Sequence, residues 1–93
     1  MSLTHAVVLI ESERDALATL GAALADVEGV AEAYSVTGEW DFVAIVRVRE
    51  HDQLAEVITS RIGTLPGIAR TRTLVAFAAF SSHDLESLFD VGG

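Results

Sequence analysis

The chain has 93 residues, with fourteen acids against six arginines, no lysine and a formal net charge of −8. That is the size of one domain, and its charge repels a phosphate backbone, so direct nucleic-acid binding is not expected. It has no cysteine, which excludes disulfides, thiolate metal sites and cysteine nucleophiles. Mean hydropathy is +0.42, yet apolar runs such as Ala6–Ile10 and Leu74–Phe80 fall far short of the roughly 20 residues of a membrane helix. Met1–His5 carries no basic stretch of the kind that opens a signal peptide.

In chain order, His5–Ile10 is a short β-branched run and predicts a first strand. Ser12 with Asp15 three residues on has the form of a helix-start box, because a serine there can accept from first-turn amides. Leu17, Leu20, Ala23, Leu24 and Val27 then recur at helical spacing, and Gly29 ends the helix. Val30–Val36 predicts a second strand, and Thr37-Gly38-Glu39-Trp40 a hairpin turn relaxed by its glycine. Asp41–Arg49 predicts a third strand. Leu54, Val57, Ile58, Ile62 and Leu65 predict a second helix, stopped by Pro66-Gly67. Ile68–Phe80 predicts a long fourth strand whose end bends. Beyond it, Ser81-Ser82 is placed to cap a short terminal helix carrying Leu85, Leu88 and Phe89.

The two halves repeat. Gly29 recurs as Gly67, thirty-eight residues on, and at the same offset Val30 meets Ile68, Ala6 meets Ala44, Val8 meets Val46 and Leu24 meets Ile62. Each half is strand–helix–strand. The order βαββαβ predicts an α+β, ferredoxin-like fold: a four-stranded antiparallel sheet with two helices on one face. The whole of residues 1–93 is expected to be one domain, with a core over about residues 4–80 and a tail over 81–93.

Two helices cover only one sheet face. Alternation puts Phe42, Ala44, Val46 and Val48 on one side of strand three, and Val43 and Ile45 on the other. In strand one, Ala6, Val8 and Ile10 face one way and Val7 and Leu9 the other. A one-sided antiparallel sheet alternates apolar with polar residues; this one is apolar on both faces. Leaving Val7, Leu9, Val43 and Ile45 in water would forgo roughly 1.5–3 kcal/mol each. A second copy packed sheet to sheet is the simplest cover; the protein's own C-terminal tail is the alternative.

The hairpin is the first candidate for binding chemistry. Gly38 lets backbone amides of Thr37–Glu39 approach a ligand and hold a carboxylate. Asp41 can pair with an ammonium, and Tyr34 and Trp40 can wall a pocket. A plain tight turn, with Asp41 bonded to its own hairpin, accounts for the same residues. Thr71 and Thr73 share one face of strand four, as ligand hydroxyls or as ordinary strand residues. Arg70 and Arg72 take the other parity, and pairing with Glu32 or another neighbouring acid suits them better than a ligand carboxylate. His5, His51 and His83 are far apart and form no metal site. No nucleophile elbow, phosphate loop or nucleotide fingerprint is present.

Val30-x-x-Ala33-Tyr34-x-Val36-Thr37-Gly38-Glu39-Trp40-Asp41-Phe42, followed by a strand, a helix and Leu65-Pro66-Gly67-Ile68-x-x-Thr71-x-Thr73, resembles the ligand-binding domain of the Lrp/AsnC transcription regulators, also called the regulation of amino-acid metabolism domain. The resemblance spans about residues 4–80. It implies a dimeric α+β barrel, higher rings such as an octamer, and binding of amino acids or related molecules at contacts between dimers. It makes Tyr34, Thr37, Gly38, Glu39, Trp40, Asp41, Thr71 and Thr73 the expected effector site, and the dimer it implies fits the apolar face of Val7, Leu9, Val43 and Ile45 argued above as the dimer face. Regulators of that family carry an N-terminal helix-turn-helix, which this sequence does not show. The resemblance therefore implies the sensing half alone, in the cytoplasm, able to co-assemble with full-length regulators. No cofactor, no metal, no membrane and no catalytic residue are expected. The competing function is catalysis by a dimeric α+β barrel, as in cofactor-free monooxygenases or small-molecule isomerases, against which stands the absence of an acid–base pair in a cleft.

Overall fold

The fold is seen in a computed structural model that describes residues 3–78 and 80; the expected terminal helix and His83 lie outside them. Four strands, β1 (Thr4–Ser12), β2 (Val30–Ser35), β3 (Phe42–Val48) and β4 (Ile68–Ala76), form one sheet in the order β2-β3-β1-β4, with the two central strands antiparallel to their neighbours. The helical connections are α1 (Leu20–Ala25) and α2 (His51–Ala55), the latter continuing as a π-helical stretch over Glu56–Ile62. This is the expected βαββαβ arrangement.

The alternation read from the sequence appears in the burial. Ala6, Val8 and Ile10 of β1 and Phe42, Ala44, Val46 and Val48 of β3 are buried against the helices, where they meet Leu20, Leu24, Leu54, Val57 and Ile62. Ala6 lies opposite Val46, and Val8 opposite Ala44, so a small residue sits beside a branched one across β1 and β3. The repeat is structural as well: Gly29 and Gly67 both take positive φ, 101° and 97°, each just before an outer strand. A Cβ on Gly29 would stand 2.5 Å from Val57 Cγ2, and one on Gly67 would strike the Ala16 methyl. Both turns press against the helical layer more closely than a side chain permits.

Three local expectations are corrected. Ser12 does not start a helix: it ends β1, and its hydroxyl donates to the Glu13 carbonyl. The cause is tertiary. The Ser12 amide donates to Asp41 Oδ2 at 2.8 Å and the Glu13 amide to the Gly67 carbonyl at 2.7 Å, which keeps the chain extended. A 3₁₀ turn over Arg14–Ala16 follows, α1 begins only at Leu20, and Leu17 drops out of the buried stripe to 47% exposure. The second helix changes to five-residue hydrogen bonding, with the Gly63 amide donating to the Ile58 carbonyl at 2.9 Å, and ends at Ile62. β4 stops at Ala76, short of Phe80.

On the other sheet face Val7, Leu9, Val43 and Ile45 are each half-buried. Leu74, paired across from Val7 on β4, joins them at 52% exposure. No described element covers this face.

Candidate functional site

The β2–β3 loop is built by three elements. The Val36 amide donates to the Asp41 carbonyl (3.0 Å) and closes the loop; the Asp41 amide donates to the Ile10 carbonyl (2.9 Å) and fastens it to β1. Asp41 then accepts the Ser12 amide. One of its oxygens therefore latches the loop to the end of β1, a contact to a different strand and not to its own hairpin. Gly38 sits at the tip with φ 110° and open space around it. Among the described residues the amides of Thr37, Gly38, Glu39 and Trp40 donate to no protein group, so they remain available as donors.

Arg70 of β4 reaches into this loop. Its guanidinium lies 4.4 Å from the centroid of the Trp40 ring, 3.5 Å from Glu11 and 3.8 Å from Glu39. The cation over the aromatic face is the attractive geometry for that pair. The result is a charged cluster of Glu11, Glu39, Trp40, Asp41 and Arg70 at one end of the sheet. Arg70 was not among the expected site residues; the neighbouring-strand acid it pairs with is Glu11 of β1, together with Glu39 of the loop, and not Glu32. Register was the missing information: β4 lies beside β1, and Arg70 falls opposite Glu11.

The other expected residues are set apart within one subunit. Tyr34 is exposed on the uncovered face opposite Val43. Its hydroxyl donates to Glu32, two residues back along β2, and Glu32 pairs with Arg47 at 3.0 Å. The Tyr34 hydrogen bond, ahead of the Arg47 contacts, holds the Glu32 carboxyl below its ordinary value, and the Glu32 carboxylate raises the Tyr34 phenol above its own. Thr71 and Thr73 lie opposite Ile10 and Val8, on the helix-bearing side of the far edge strand. A single subunit thus gathers Thr37–Asp41 with Arg70, and leaves Tyr34 on one face and Thr71 and Thr73 on the other.

These features define a ferredoxin-like α+β module with an apolar sheet face that no described element covers and its charged loop at one end. The chain belongs to the Lrp/AsnC ligand binding domain family, which matches residues 5–85. It is similar to an HTH-type transcriptional regulator of Pyrococcus furiosus, 30% identical over 83 residues, covering 86% of this chain and 55% of that protein. It thus spans about half the length of the curated relatives it matches. Among solved structures it is similar to TTHA0845 from Thermus thermophilus, at 44% identity and TM-score 0.78, over 84% of this chain and 98% of that one. It is also similar to the feast or famine regulatory protein of M. tuberculosis complexed with L-methionine, at 31% identity and TM-score 0.66, over 85% of this chain and 53% of that one.

Proposed function

We propose that this domain is a non-catalytic sensor that binds a small effector, an amino acid or a close relative, at the β2–β3 loop, in an assembly of sheet-to-sheet dimers. The observation that carries the reading is the loop itself: amides around Gly38 that donate to no described residue, next to the Asp41 carboxylate, with Arg70 held over Trp40. An α-amino acid needs hydrogen-bond donors for its carboxylate and an anion for its ammonium, and the loop amides and Asp41 offer both within a few residues. The L-methionine complex of the M. tuberculosis relative supports the ligand class. Tyr34 of one dimer and Thr71 and Thr73 of another complete the site in this reading, because one subunit keeps them on opposite faces. A site shared between dimers couples occupancy to ring assembly, since a ligand shifts whichever equilibrium it binds differentially. The module acts in the cytoplasm without touching DNA itself, alone or with full-length regulators; its −8 charge suits that role.

The test is a thermal-shift screen over the twenty amino acids. A ligand at a hundred times its Kd should add about 2.7 kcal/mol of stability. Asp41→Asn keeps an oxygen for the Ser12 amide but removes the charge, and should abolish the shift. A screen with no stabilising amino acid, or a ligand that Asp41→Asn binds normally, overturns the assignment.

A further inference from the structure

A polar concavity lies at the opposite end of β3 from the loop. It has a volume of about 290 Å3, and its polar lining comes from Glu28, Arg47, Arg49, Gln53, Glu56 and Arg61. The seven residues of β3, Phe42–Val48, run between the two sites, so they stand roughly 20 Å apart. Three of the six arginines of this acidic chain converge here.

Two of those arginines are already engaged. Arg47 pairs with Glu32 at 3.0 Å, and Arg61 pairs with Glu56 at 3.3 Å while donating to the Glu28 carbonyl at 2.7 Å. The π-helical winding makes the second arrangement: it brings residues five apart, Glu56 and Arg61, onto one side. Such winding is rare and recurs at functional sites. Arg49 has no ion pair among the described residues. Beside it, the Gln53 side-chain oxygen accepts the Arg49 and Glu50 amides, at 3.1 and 3.0 Å, so its NH2 group is left as a donor. The lining therefore presents a guanidinium fork and a carboxamide donor, and against them one acid, Glu28, that has no ion pair among the described residues.

We infer that this concavity binds a small oxyanion, the carboxylate or phosphate group of a metabolite, through Arg49 and Gln53. The guanidinium fork matches both groups in bidentate geometry, and the volume admits only a small molecule. Arg61 is a positioning residue that holds the Glu28 turn against the helix, and Glu28 weakens the site by like charge.

The chain supplies its own reporters for the test. Gln53 is the only side-chain carboxamide, and Trp40 the only indole, so NMR gives one NH2 pair for this site and one indole N–H for the loop site. Titration of the whole chain with inorganic phosphate, and separately with malonate, should shift the Gln53 NH2 signals saturably with at least one of them, and leave Trp40 in place. Saturation by phosphate alone points to a phosphate ester, by malonate alone to a carboxylate. Arg49→Met should weaken binding about tenfold or more, and Glu28→Ala should tighten it. Both positions are exposed, so the fold survives either change. No saturable Gln53 shift, a shift of Trp40 in its place, or unchanged affinity in Arg49→Met overturns the inference.

Discussion

Tyr34 and Glu32 show how two exposed residues perturb each other. The phenol donates to the carboxylate, so the folded state favours protonated tyrosine and ionised glutamate together. For Tyr34 the folded pKa is raised above 10.0; its stabilisation is full below that value and fades as pH rises through the folded pKa. For Glu32 the folded pKa lies below 4.5; its stabilisation is present above that value and is lost as pH falls through the folded pKa. Tyr34 is the only tyrosine, so a spectrophotometric titration reads it directly. It should titrate above its ordinary value in the wild type, and Glu32→Gln should lower it. The glycines give a second residue-scale prediction. Gly38→Ala meets open space and should cost about 1–2 kcal/mol for its backbone conformation. Gly29→Ala adds a collision with Val57 and should cost about 1–3 kcal/mol more. Urea unfolding of the two variants measures the difference.

Between elements, Asp41 is the joint. Its amide and carboxylate both bind the end of β1, which is why β1 runs on through Ser12 and α1 starts late. Asp41→Ala should therefore lower stability by about 1.5–3 kcal/mol, the range for a hydrogen bond to a charged group, whereas Asp41→Asn should lose less. Chemical denaturation of both separates the latch from any role in ligand binding. Much of this scale was legible in the sequence: strand alternation and the second-helix stripe rest on local spacing, and the Gly29/Gly67 repeat on a constant offset along the chain. The start of α1 was not, because Ser12 and Asp15 satisfy the same local pattern whether or not a distant carboxylate claims the Ser12 amide. The π-helical stretch was also hidden, since Val57, Ile58 and Ile62 suit either winding.

For the molecule as a whole, the apolar face that no described element covers is decisive. Val7, Leu9, Val43, Ile45 and Leu74 form a continuous apolar strip across three strands, and exposure on that scale marks an interface. Light scattering at micromolar concentration should give at least twice the 9.9 kDa chain mass. Val43→Asp would bury an unpaired charge and should leave a folded monomer, with an unchanged circular dichroism spectrum. A monomeric wild type refutes the interface.

Local spacing by itself determined the element order, the helix-facing core and the doubly apolar sheet, because period-two and helical alternation are properties of neighbouring residues. It also pointed to the Thr37–Asp41 loop, through one glycine between two strands. Tertiary structure alone decided which charges meet. Arg70 is thirty residues from Trp40 in sequence and joins it only because β4 lies against β1 in a particular register. Glu32 was taken by Arg47 of the adjacent strand instead. Tyr34 and Thr71 fell on opposite faces for the same reason: side-chain direction within a strand follows sequence parity, but the relation between two edge strands depends on every register between them.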